Sequence, residues 1–115
     1  MVVDDEPDQR FLLRLILQRA GHEVVEAGHG ETALASVHNS PPDLVITDMM
    51  MPVMGGDELI RRLRADPVTA GIPILAATGD GQLAGAADAV LAKPHKPGQL
   101  LATATLLLAQ QADRT

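Results

Sequence analysis

Four places along the chain set a side chain with chemistry beside residues that have none. Asp4, Asp5 and Glu6 crowd three carboxylates directly after Val2 and Val3, and Asp48 ends the apolar run DLVIT and precedes MMMP. Thr78 stands between an apolar run and Gly79, and Lys93 stands before Pro94. Crowded carboxylates repel one another, which raises their pKa values or demands a counter-charge. A hard divalent cation supplies that charge; Mg²⁺ takes oxygen ligands, few protein carboxylates and several waters, and Mn²⁺ would serve in its place. The chain has no Cys and no close His pair at these positions, which disfavours zinc. A metal beside an ionised Asp bridges to a phosphoryl oxygen and neutralises charge during transfer. The attacking carboxylate then forms an acyl phosphate. A hydroxyl and an ammonium facing the same oxygens would complete an electrostatic clamp.

Each residue also has a bland reading. Asp5 or Asp8 can simply cap the first helix, where Asp is favoured. Asp48 can be a loop carboxylate, Thr78 a turn residue and Lys93 a solvated lysine. What favours chemistry is their joint placement, because the surrounding pattern sets all of them at strand ends.

That pattern alternates short β-branched runs with helical segments. Val2 and Val3 form the tail of a strand. Residues 8–20 turn helical, with Phe11, Leu12, Leu15 and Ile16 on one face, Leu13 and Leu17 widening it, and Arg10, Arg14 and Gln18 on a narrow polar side. Gly21 stands where a helix-ending glycine belongs. Residues 22–27 read as a strand, 31–38 as a short helix ended by Asn39 and the Pro41-Pro42 pair, and 43–47 as a strand covered on both faces. A helix over 57–64 turns Leu59, Ile60 and Leu63 inward and Arg61, Arg62 and Arg64 outward. Residues 72–77 form the next strand, with Pro73 tolerable near its start, and 90–92 the last. A final helix over 97–111 places Leu100, Leu101, Ala104, Leu107 and Leu108 on one face. Residues 82–87, with Gly85 and one large apolar residue, predict a stubby or irregular fourth helix, since glycine costs about 1 kcal/mol against alanine in a helix interior. The alternation predicts an α/β domain with a five-stranded parallel sheet and helices on both faces. Ligands of such sheets bind beyond the carboxyl ends of the strands, where Asp4, Asp5, Asp48, Thr78 and Lys93 all fall.

The bulk properties set bounds. At 115 residues the chain fits one domain, 1–115, and 46% hydrophobic residues suffice for one core. A single Phe, with no Trp or Tyr, means that Leu, Val, Ile, Ala and Met must build that core. A net charge of −6 is a poor match to a phosphate backbone, so no direct nucleic-acid partner is expected. The absence of Cys fits a reducing compartment, and the apolar stretches are too short to span a bilayer. The expectation is a cytoplasmic protein with no membrane partner.

The motifs VVDDE at 2–6, DLVITDMMMPVMGG at 43–56, Thr78-Gly79 and LAKP at 91–94 resemble the receiver domain of two-component response regulators, over essentially the whole chain. The second is the most specific: an apolar strand, the acceptor Asp48, then Pro52 and glycine before a helix. The resemblance implies a flavodoxin-like, chemotaxis-regulator-like sheet in the order 2-1-3-4-5. It implies phosphotransfer to Asp48 from a histidine kinase or phosphotransfer protein. Asp5 and Asp48 would coordinate Mg²⁺ with the Met50 backbone carbonyl, and Asp4 would act through water. Thr78 and Lys93 would bind the phosphoryl group and switch. Such a protein is a signalling switch rather than an enzyme, promoting only its own phosphorylation and slow dephosphorylation. It acts on a downstream protein or output domain, and a homodimer is compatible with it.

Three departures bear on this reading. Val90 occupies a position where the family commonly has a switching aromatic, His95 follows Lys93-Pro94 where Phe is common, and the interval from Thr78 to Lys93 is short. They leave open a second reading, a degenerate receiver acting as a constitutive interaction module. A haloacid-dehalogenase-type phosphohydrolase would need a second acid two residues after the nucleophile, where this chain has Met50.

Overall fold

Burial on two faces explains why the strands are so apolar. The structure is a computed structural model that describes residues 1–79 and 86–113. Its elements in chain order are β1 (Val2–Val3), α1 (Pro7–Arg19), β2 (Glu26–Ala27), α2 (Gly30–Asn39), β3 (Val45–Asp48), α3 (Gly56–Ala65), β4 (Ile74–Thr78), β5 (Ala89–Ala92) and α4 (Pro97–Asp113). The strands form one parallel sheet in the order β2-β1-β3-β4-β5. Successive strand residues point to opposite faces, so neighbours in sequence enter different cores. Val3, Val45 and Ile74 pack with Val37 of α2 and Leu59, Ile60 and Leu63 of α3. Val2, Ile46 and Leu75 pack with Leu13 and Leu17 of α1 and Leu100, Ala104 and Leu107 of α4. Each large side chain buried in this way contributes roughly 1.5–3 kcal/mol.

The register fixes where the chemistry-bearing residues fall. Val3 pairs with Thr47, Asp48 with Ala77, and Thr78 with Ala92. Asp4, Asp48, Thr78 and Lys93 are therefore the last residues of neighbouring parallel strands, or the first beyond them, on one edge.

Several expectations change in the structure. The second strand is only Glu26–Ala27, because β1 offers a two-residue partner and a ladder needs a backbone opposite. The buried face of α1 is Leu13 and Leu17, with Ile16 half-buried; Phe11 and Leu12 are 49% and 52% exposed. Arg64 folds back instead of outward: its guanidinium donates to the carbonyls of Ala70 and Ile72, each at 2.8 Å. Gly30 is the first residue of α2, with His29 as its N-cap accepting from the Thr32 N–H. Gly21 does end α1, at φ +95°, a conformation glycine adopts without a Cβ clash. Of the short helix expected over 82–87, residues 82–85 lie outside the described residues. Among the described residues no helix is long and apolar enough to cross a membrane.

Candidate functional site

The site begins with the turn from β1 into α1. The Asp4 N–H donates to the Ala27 carbonyl at 3.2 Å, continuing the β1–β2 ladder one residue past the strand. Its carboxylate Oδ1 accepts the Glu6 N–H at 3.0 Å. Pro7 then opens α1, where its missing N–H costs nothing. Glu6 occupies the N-cap position rather than Asp5 or Asp8, its side chain makes no capping bond, and Asp8 lies in the first turn. Asp4 is buried, and removal from water raises its pKa above the ordinary carboxylate value. The Glu6 N–H opposes that rise; Asp48 and Asp5 add to it by repulsion, and Lys93 offsets them.

Asp48 is delivered by β3. Thr47, fully buried, donates its hydroxyl to the Asp48 carbonyl at 2.8 Å and so holds the strand end. The chain then turns through MMMPVMGG, and Gly56 donates its N–H to the Met49 carbonyl at 3.0 Å. A Cβ at Gly56 would lie 2.5 Å from the Asp48 carbonyl oxygen and 2.7 Å from the Met49 Cα, so only glycine lets α3 start this close to the end of β3.

One oxygen from each of Asp4, Asp5 and Asp48 lies within 4.8 Å of the others, close enough for all three to reach a single cation. Three carboxylates and no soft ligand make an all-oxygen donor set, which fits Mg²⁺ or Mn²⁺. The Lys93 ammonium meets Asp48 Oδ1 at 2.9 Å, with the Asp48 side chain only 11% exposed. Thr78 is buried at the end of β4, and its carbonyl accepts the Lys93 N–H at 3.0 Å. Met50, two residues after Asp48, turns its side chain to solvent at 69% exposure. Val90 on β5 is half-exposed. The structure thus brings together Asp4, Asp5, Asp48 and Lys93, with Thr78 on the adjoining ladder.

The family model described as the response regulator receiver domain matches residues 1–105. The chain belongs to the response regulator receiver family. The phosphate regulon transcriptional regulatory protein PhoB of Pseudomonas aeruginosa is 37% identical over 109 residues, covering 89% of this chain and 48% of PhoB. The chain therefore spans about half of that relative's length. The chemotaxis response regulator CheY4 of Vibrio cholerae superposes with a TM-score of 0.86 at 34% identity, covering 92% of this chain and 94% of that one. The response regulator TrrA of Thermotoga maritima, solved in complex with Mg²⁺ and BeF, gives 0.84 at 32% identity, covering 92% and 95%. Receiver domains are signalling switches of two-component systems, and this chain shares their flavodoxin-like fold.

Sequence reasoning missed one part of this receiver's site. Arg10 reads as a surface residue of α1, yet its guanidinium donates to the Asp4 carbonyl at 2.7 Å and to Glu26 Oε1 at 3.2 Å. The available signal was the i, i+4 pair Arg10 and Arg14 beside a glutamate on a neighbouring strand.

Proposed function

We propose that this receiver accepts a phosphoryl group on Asp48 from a histidine kinase or phosphotransfer protein, in a reaction that needs Mg²⁺. The observation carrying this reading is the meeting of three carboxylates and one ammonium on the carboxyl edge of the sheet. Asp5 and Asp48 would hold the cation, with the Met50 backbone carbonyl as a further ligand and Asp4 acting through water. When bound, the cation neutralises charge on the phosphoryl oxygens and orients the donor. A carboxylate oxygen of Asp48 forms the new O–P bond while the P–N bond of the donor phosphohistidine breaks, and the imidazole leaves with the electron pair. Lys93 offers its ammonium to the phosphoryl oxygens, a charge-assisted bond stronger than a neutral one. Thr78 supplies its hydroxyl to the same oxygens.

Phosphorylation then biases the β4–β5 edge. It adds negative charge and strong acceptor oxygens beside Thr78 and Lys93, and the bond between the Lys93 N–H and the Thr78 carbonyl ties the two positions together. With Val90 in place of an aromatic, the change reaches the surface through this backbone connection rather than a ring rotation. A cytoplasmic setting, a downstream protein or output domain as target, and a single receiver domain over 1–115 complete the proposal.

The test is incubation with acetyl phosphate and Mg²⁺, followed by intact mass. One added phosphoryl group is expected, absent in Asp48→Asn and absent with a chelator. An unmodified mass with every small donor would instead support the constitutive interaction module.

A further inference from the structure

We infer that Arg10 is a positioning residue for the cation site, setting Asp4 through its backbone while Glu26 of β2 holds the guanidinium in place. The inference rests on the Mg²⁺ reading above and adds a residue to it.

The Asp4 peptide is held at three points. Its N–H is bonded to Ala27 at 3.2 Å, its carboxylate Oδ1 to the Glu6 N–H at 3.0 Å, and its carbonyl to Arg10 Nη1 at 2.7 Å. The first is a backbone ladder bond, and the second folds the Asp4 carboxylate onto its own turn. The third is a side chain reaching back from the first turn of α1. A flexible arginine would lose rotamer freedom in making such a bond, but here the other side of the fork is already engaged: Nε donates to Glu26 Oε1 at 3.2 Å, and Arg14 Nη1 occupies Glu26 Oε2 at 2.6 Å. Both arginine side chains are at most about one-third exposed. The fork runs alongside Gly28, where a Cβ would sit 3.4 Å from Arg10 Nη1, an ordinary contact. Glu26 thus links β2 to α1, and Arg10 passes that link to the residue that opens the acidic cluster. A planar fork serves two acceptors in fixed directions; a lysine ammonium cannot.

Charge and placement predict opposite signs. Removing a cation close to three carboxylates strengthens their attraction for a divalent ion. Releasing the Asp4 carbonyl loosens the cluster and weakens binding, typically tenfold or more when an outer support of a metal ligand is lost.

The experiment is Mn²⁺ binding by electron paramagnetic resonance, with Mg²⁺ competition, on the unphosphorylated chain and on Arg10→Gln, Arg10→Lys and Arg14→Gln, with thermal unfolding of each. Arg10→Gln is expected to weaken Mn²⁺ binding about tenfold, Arg10→Lys to recover only part of that loss, and Arg14→Gln, which removes equal charge but no Asp4 contact, to change affinity less than about twofold. Equal effects of Arg10→Gln and Arg14→Gln, tighter binding in Arg10→Gln, or losses that merely follow the melting temperature overturn the inference. Failure of the unaltered chain to bind Mn²⁺, or binding that survives Asp5→Asn, overturns the cation site itself and this inference with it.

Discussion

Asp4 is buried beside two like charges, and its raised pKa has a consequence for stability. A carboxylate whose folded-state pKa exceeds its unfolded value holds its proton more tightly when folded. The fold is then most favoured while Asp4 is protonated, and stability falls as pH rises through the folded value. Asp4→Asn removes that loss. In metal-free buffer the variant is expected to melt a few degrees above the unaltered chain at pH 7, with the gap closing as pH drops from the raised folded value to the ordinary carboxylate value. A gap independent of pH would contradict the burial argument. Asp4, Asp5, Asp48 and Lys93 were readable as a group because each follows an apolar run. Arg10 was not, because its role depends on a carbonyl, and sequence carries no mark of which carbonyls need donors.

Helix α3 depends on its first residue. Gly56→Ala would drive a methyl into the Asp48 carbonyl and the Met49 backbone, neither of which can move without shifting β3. Gly30→Ala meets chiefly the Met54 thioether, the flexible end of a side chain that can change rotamer. Gly56→Ala is expected to cost about 2–3 kcal/mol and Gly30→Ala clearly less, as read from urea midpoints at constant slope; equal costs would count against the close approach. The glycines of MMMPVMGG were legible as a turn before a helix, but which one packs on the Asp48 carbonyl was not. Element lengths were harder still. Val24 and Val25 have strand-like character, yet the ladder reaches only Glu26–Ala27 because β1 is two residues long. On α1 the wide apolar arc concealed which stripe faces the sheet: Arg10 and Arg14 turn towards Glu26, and that rotation leaves Phe11 and Leu12 in solvent, with Arg14 5.1 Å from the Phe11 ring centroid.

Across the molecule, one ionic clasp ties the α3 side to the β4–β5 half of the sheet. Asp88 Oδ2 accepts both the Ile74 N–H and Arg64 Nη2, each at 2.7 Å, while Arg64 also holds the Ala70 and Ile72 carbonyls. Asp88→Ala strands the Ile74 N–H at the start of β4 and is expected to destabilise the fold by about 2 kcal/mol. Asp88→Asn, which keeps an acceptor, should recover about half of that in chemical denaturation, whereas identical losses would show that charge alone matters. The parallel sheet and the two-faced core followed from strict alternation of apolar runs and helices, since parallel strands need crossovers and crossovers cover both faces, whereas the order β2-β1-β3-β4-β5 was implied only by the family resemblance. The clasp itself was invisible, because it joins residues from three separate segments whose proximity only folding creates.

The 2.9 Å contact between Lys93 and Asp48 Oδ1 makes the two oxygens of a symmetric group inequivalent. With one lone-pair set of Oδ1 committed to the ammonium, the two oxygens stand in different surroundings. The resting pair thereby gives Asp48 a sidedness within the fold, so that any group approaching it meets one oxygen already engaged by a cation.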